Sequence, residues 1–261
     1  MNEHSPERLD QILSRADPPP IFYRYRPPGE FALSEVTSTQ IYATKVEDLN
    51  DPHEFRAPVS MSLRDLQAAY RDFLVNKGTD RDSAKRESES VNRDQLELVF
   101  NGLNQRLQSS GLVCGTSDPR SIRMWAYYAN SHRGICIGYD SQHPPFCYAR
   151  KVIYADPDGP LDLLNAIRQD PMLLSDHISC RKGAEWAFEN EYRIPVSPIA
   201  PNHPRLFPIP PEAIVEIRLG VNITPEFRDK VAAAAGKHLP HARVIQMGCD
   251  HQNFRLTETV I

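Results

Sequence analysis

The chain has 261 residues, 40% hydrophobic and 25% charged, with a formal net charge of -4 and a pI near 6.1, which is enough for one sizeable packed core. That balance excludes a chain built throughout to coat nucleic acid or an acidic membrane, though it leaves room for a local basic patch. Five scattered cysteines (Cys114, Cys136, Cys147, Cys180, Cys249) form no Cys-x-x-Cys pair, no apolar run reaches the roughly 18 residues of a membrane span, and the first 20 residues lack a signal-like core, so a cytoplasmic, disulfide-free protein is expected.

Residues 1–17 place Leu9, Ile12 and Leu13 on one face of a short helix ended by the run Asp17 to Pro20, an extension over 1–20 ahead of a single domain over 21–261. "IFYRYRP" sets Ile21, Tyr23 and Tyr25 against Phe22, Arg24 and Arg26, a period-2 strand that carries charge inward or into a cleft. A short helix and a strand around "QIYAT" follow, then a specified turn at Asn50-Asp51-Pro52. From about 60 to 110 the pattern is a helical insertion: "SLRDLQAAYRDFLVNKG" and "NRDQLELVFNGLNQRLQSSG" carry helical periodicity. The charge-rich "TDRDSAKRESESVNR" between them reads as an exposed link.

Next come a strand "GLVCGTS", a helix "DPRSIRMWAYYANSH" with Asp118 as N-cap and Pro119 at its first position, and a strand "RGICIGYD". Strands "CYARKVIYA" and "NEYRIPVS" flank a helix around 160–182, and "AIVEIRLGVNI", the helix "TPEFRDKVAAAAGKHL" and "ARVIQMGCD" complete the chain. About seven strands and four or five helices without regular βαβ alternation indicate an α+β fold rather than a doubly wound sheet.

The chain lacks GxxxxGK[ST], GxSxG, GxGxxG and HExxH, which removes the usual P-loop, serine hydrolase, dinucleotide-fold and zincin readings. The nine histidines are dispersed, and His238 and His241 straddle Pro240, so no metal site is expected. Three polar features border predicted strands: Arg24 and Arg26, Thr116-Ser117, and Glu189-Asn190-Glu191. In an extended chain Glu189, Glu191 and Arg193 share one face, and two like charges so close demand a cationic partner or a raised pKa. One reading makes them the charged edge of a sheet, with Arg193 as partner; the other makes them catalytic. Met124, Trp125 and Tyr128 at helical spacing read as core, or, for Trp125 and Tyr128, as a flat surface beside a cleft. Asn50, Asp51, Glu54 and His132 are further candidates, weighed against turn and helix-end architecture.

The blocks "YRYR", "NDPHEF", "MWAYYANSHRGICIGYD" and "EWAFENEYRI", in that order over residues 22 to 194, resemble the bacterial domain-of-unknown-function family 2971 (DUF2971). More weakly, a strand arginine, the triplet Gly115-Thr116-Ser117 and Glu189-x-Glu191 ahead of a strand ending at Pro195 resemble ADP-ribosyltransferases of the arginine-serine-glutamate type. That resemblance implies a mixed, mainly antiparallel split sheet flanked by helices, NAD as substrate, and an unknown protein or nucleic-acid acceptor, in a toxin or phage-defence setting. It makes Glu191 and Glu189 catalytic, with Tyr23, Arg24, Arg26, Thr116, Ser117, Trp125 and Tyr128 as NAD-binding candidates. Two other classes stay open: a non-catalytic ligand-sensing or interaction domain with a structural Glu/Arg network, and a metal-dependent enzyme acting on nucleic acid.

Overall fold

A computed structural model describes residues 16–55, 62–155, 168, 178–196, 199–200 and 202–261; the predicted N-terminal helix and most of the predicted helix at 160–182 lie outside these. The elements in order are β1 (Ile21–Arg26), α1 (Glu30–Ser38), β2 (Gln40–Tyr42), β3 (Thr44–Lys45), α2 (Leu63–Asn76), α3 (Arg81–Ser90), α4 (Arg93–Ser109), β4 (Gly111–Thr116), α5 (Ile122–Tyr128) and β5 (Ile135–Asp140). Then follow β6 (Arg150–Lys151), β7 (Ile153–Ala155), β8 (Arg181–Gly183), β9 (Glu191–Val196), β10 (Leu206–Pro208), β11 (Ile214–Leu219), α6 (Pro225–His238), β12 (Arg243–Asp250) and β13 (Arg255–Val260).

The main sheet runs β13-β12-β11-β5-β1-β4-β9-β6, with β3 also paired to β4. All of its pairings are antiparallel except β11 with β12, which α6 connects as a crossover. Period-2 alternation sorts the sheet into two faces. One face packs Phe22, Val113, Ile135, Ile137, Tyr139, Ile194 and Ile217 under α1 and α6. The other packs Tyr23, Tyr25, Cys136, Ile245 and Met247 under Met124 and Trp125 of α5. Trp125 is fully buried, edge-on to Tyr25 at 5.1 Å, and its indole N–H donates to the Pro119 carbonyl at 3.0 Å, so its one polar atom is satisfied inside the core.

The α+β reading holds, and the segment read as a helical insertion is helical over 63–76, 81–90 and 93–109, with corrections in detail. The "TDRDSAKRESESVNR" link forms helix α3: Asp80 accepts from the Ser83 N–H, and Ala84 and Ser88, four apart, bury a narrow stripe. Two small residues suffice there because α2 packs closely, and no large apolar periodicity announces it. The cap of α5 is Ser121, accepting from the Met124 N–H, while Asp118 closes a turn to the Arg120 N–H. Among the described residues there are more strands than expected, the additions being short or, for β13, an exposed edge.

β1 and β4 are in register at one pair alone, Tyr23 with Thr116. Beyond that pair the two strands part, and β3 joins β4 farther along, at Leu112 and Gly111. The sheet therefore opens into a fork bounded by β1, β3 and β4, and Gly115 stands at its apex. A Cβ on Gly115 would lie 2.3 Å from the Phe22 ring and 2.7 Å from the Tyr23 carbonyl oxygen, closer than packed atoms tolerate.

Candidate functional site

A cleft of about 200 Å³ occupies the fork, lined by Tyr23, Arg24 and Arg26 on one side and by Glu54, Tyr128, Lys182, Glu189, Glu191 and Arg193 on the other. The register explains how both groups reach it. Tyr23 pairs with Thr116 and Thr116 with Glu191, so Glu191 and Arg193 rise on the Tyr23 face. Arg24 and Arg26 leave on the opposite face, beside Phe22. They meet because the cleft passes through the sheet.

Glu191 opens β9, and Arg193, two residues on, shares its face. Arg193 donates from Nε to Glu191 Oε1 at 2.9 Å and from Nη2 to Glu191 Oε2 at 2.8 Å, with further bonds of 2.8 Å to Glu54 Oε2 and to the Ser179 carbonyl. Glu189 is not on the strand, as the extended reading expected. It ends a 3₁₀ turn over Ala184–Glu189, and Asn190, with φ 43° in the left-handed region, swings the chain into β9. Lys182 of β8 then draws the carboxylates together. Its Nζ lies 2.6 Å from Glu189 Oε2 and 3.5 Å from Glu191 Oε2, and 3.0 Å from Glu54 Oε1 without hydrogen-bond geometry.

Three carboxylates thus share two cations, all at side-chain exposures of 7% or less. Burial disfavours charge, and the unequal sharing splits the carboxyl groups. Burial, then the neighbouring Glu191 charge, raises the Glu189 carboxyl above its ordinary value despite Lys182. Burial also raises Glu54, against the pull of Arg193 and Lys182. Burial would raise Glu191 too, but Arg193 and Lys182 together hold it below the ordinary value. Lys182 is pushed up: its burial is outweighed by the three carboxylates.

Tyr128 of α5 donates to Glu189 Oε1 at 2.5 Å and accepts from Asn50 Nδ2 at 2.7 Å. Burial, then Glu189, raises its hydroxyl pKa. Tyr154 accepts the Glu191 backbone N–H at 2.8 Å, its own hydroxyl pushed up to about 12 by burial.

On the other wall, Arg24 is 3% exposed and spends all three nitrogens on the protein: Nε on the Cys114 carbonyl at 3.2 Å, Nη1 on Glu35 at 3.2 Å and Nη2 on the Tyr42 carbonyl at 3.3 Å. The Cys114 carbonyl is on β4 and the Tyr42 carbonyl on β2, and one planar guanidinium can reach both while binding Glu35. Glu35 also binds Arg26 and accepts from Tyr139 at 3.0 Å. Among the described residues Arg26 Nε has no hydrogen-bond partner.

Residues 124–194 match the family described as "Protein of unknown function (DUF2971)". No curated protein and no solved structure matches the chain. The DUF2971 match takes in Met124, Tyr128, Lys182, Glu189, Glu191 and Arg193, which is the acidic wall of the cleft, and leaves the β1 wall and Glu54 outside.

Of the residues proposed from sequence, Tyr23, Arg24, Arg26, Asn50, Glu54, Tyr128, Glu189 and Glu191 line the cleft. The structure puts the others elsewhere. Thr116 is fully buried and accepts from the Asp118 N–H at 3.1 Å, outside the cleft lining, while Arg193 and Lys182 brace Glu191. Ser117 is exposed, its N–H bonded to the Asn190 carbonyl at 3.4 Å. Trp125 is core, and His132 stacks on it at 6.1 Å, away from the cleft. Asp51 accepts from the His53 N–H and shapes the turn.

Sequence reasoning missed Lys182, which has no pattern of its own, and Glu35, whose signal was only a carboxylate in the helix after a basic strand. Among the described residues no group of three or more His, Cys, Asp or Glu side chains is arranged to hold a metal. Where the three glutamates converge, the Lys182 ammonium already sits.

Proposed function

We propose that the protein is an NAD-consuming enzyme that breaks the bond between nicotinamide and ribose and passes the ADP-ribosyl group to a macromolecule or to water. The reading rests on one observation: Glu189 and Glu191 face a single cleft through the sheet with their carboxyl groups displaced in opposite directions. Paired carboxylates with separated pKa values are how a site assigns a charge stabiliser and a proton acceptor.

Glu191, kept ionised by Arg193, stabilises the oxocarbenium character that develops at the ribose carbon as nicotinamide leaves with the bonding electrons. Glu189, held by Tyr128, takes the proton that the incoming hydroxyl, amine or water gives up. Arg26 is the better pyrophosphate ligand of the two arginines, because Arg24 is committed to Glu35 and two backbone carbonyls. At about 200 Å³ the cleft is smaller than the roughly 300–1,000 Å³ of pockets that bury whole ligands. It takes the nicotinamide-ribose end, and the adenosine end extends past Arg26.

The test is nicotinamide release from NAD by wild type and Glu191→Gln, with thermal unfolding of both. Release by wild type and a loss of at least about 100-fold in a folded variant is expected. A second reading is favoured by the saturation of both Glu191 oxygens: the network is structural, in a ligand-binding domain without catalysis. It predicts no release by wild type and a Glu191→Gln variant less stable by about 3–5 kcal/mol.

A further inference from the structure

Building on the enzymatic reading, we propose that the acceptor is a single-stranded nucleic acid whose bases stack on an aromatic ridge at the cleft mouth. The ridge is made by the two segments that also build the acidic wall. The Tyr127 ring lies 5.9 Å from Phe188, and Phe188 lies 6.1 Å from Trp186. Tyr127 is 71% exposed, and Phe188 and Trp186 are half-buried.

Neighbouring residues divide the work. Tyr127 faces out while Tyr128 lines the cleft, and Phe188 stands on the ridge while Glu189 lines the cleft. The ridge and the cleft thus share one backbone, and Lys182, which binds Glu189, also holds its Nζ 4.5 Å from the Trp186 ring.

The charge of these segments names the partner. Arg123 holds its guanidinium 5.3 Å from the Phe188 ring. Over residues 119–133 and 181–188, outside the buried Lys182, the charged side chains are Arg120, which pairs with Glu258, and Arg123, Arg133 and Arg181 against Glu185, in a chain of net charge -4. Flat rings interleaved with guanidinium groups bind unpaired bases by stacking and the backbone by charge. Duplex bases are stacked on each other and offer no face to the ridge.

The transfer balances without any further reagent. A nucleophilic oxygen or nitrogen of the stacked nucleotide bonds to the ribose carbon, the bond to nicotinamide breaks with its electron pair leaving on nicotinamide, and the nucleophile's proton passes to Glu189.

The experiment is fluorescence anisotropy with labelled single-stranded DNA, single-stranded RNA and duplex DNA of about 20 nucleotides, without NAD, at about 50 and about 200 mM salt. Expected are binding of a single strand that weakens with salt, duplex binding at least about tenfold weaker, and a loss of about tenfold or more in Tyr127→Ala and in Arg123→Glu. Both substitutions are at exposed positions, and unchanged thermal unfolding confirms the fold. The tighter of the DNA and RNA arms names the acceptor. If wild type leaves every single strand free at low salt, or the variants bind as wild type does, the proposal fails. Because NAD is absent from this assay, binding without nicotinamide release fails the enzymatic reading alone, and release without binding fails the ridge alone.

Discussion

Arg193 grips Glu191 from two residues away on the same strand, through parallel bonds of 2.9 and 2.8 Å. The same guanidinium satisfies Glu54 and the Ser179 carbonyl, so one fully buried side chain anchors β9 to the turn at Glu54 and to the segment before β8. Arg193→Met leaves Glu54 and Glu191 short of a counter-charge in a dry site. A loss of about 3–5 kcal/mol in urea unfolding is expected. Arg193→Lys rescues little of it, because a lysine lacks the planar fork that reaches several acceptors at once. Recovery to near wild-type stability in the lysine variant would show that charge alone, not geometry, does the anchoring.

Acid should weaken the protein through Glu191. Its folded pKa is lowered from 4.5, so the unfolded chain binds the proton more readily. The stability from the ionised carboxylate is fully present above 4.5 and is lost as pH falls through the lower folded value. Stability measured from pH 7 down to about pH 3 should fall in wild type, and the part of the slope below 4.5 should flatten in Glu191→Gln.

Glu189 behaves in the opposite sense. Its folded pKa is raised from 4.5, so its ionisation costs stability as pH rises from 4.5 through the folded value. The Tyr128 hydroxyl bond favours the ionised form. Tyr128→Phe should therefore move the Glu189 titration still higher, visible in carboxyl carbon NMR, and move with it any pH inflection of nicotinamide release. A titration left in place by Tyr128→Phe contradicts the role given to that hydroxyl.

The apex glycine is equally specific. Gly115→Ala must push β1 and β4 apart at the point where they touch, since its Cβ meets the Phe22 ring and the Tyr23 carbonyl. We expect a loss of about 1–3 kcal/mol and an altered cleft. A serine side chain at this position would have no room against β1 either.

Glu35 neutralises two arginines and accepts the Tyr139 hydroxyl from within the core. Glu35→Gln leaves the buried Arg24 and the half-buried Arg26 with no carboxylate. A drop of about 3–5 kcal/mol is expected, checked by chemical denaturation. Glu35→Asp, which keeps the charge, should lose less.

The parts of the fold legible in the sequence are those written in periodicity. The β1 alternation, the two long helices of the insertion and the Thr224-capped helix α6 each carry a local pattern that tertiary packing had no reason to overrule. Helix α3 was hidden because its buried face is only Ala84 and Ser88. Half of the site was legible as well: Glu189, Glu191, Arg24, Arg26 and Tyr128 stand beside recognisable elements. Lys182 and Glu35 were not, since what selects them is the position of distant carboxylates and guanidiniums, and long-range pairing leaves no local trace. Thr116 stays out of the cleft because its hydroxyl serves the backbone turn at Asp118, a use that a strand-end hydroxyl in the sequence does not distinguish from ligand binding.

The parting of β1 from β4 gives the sheet two free strand edges in its interior, where backbone amides are ordinarily the slowest in a protein to exchange with solvent. With only the Tyr23–Thr116 pair joining them and the Arg24 guanidinium spanning the gap, the amide protons of β4 along the fork should exchange faster than those of β5 one strand away. A molecule lodged in the fork would then act as a splint across the seam. Slowed deuterium uptake there, in the middle of the molecule and not at its rim, would register occupancy whatever chemistry follows.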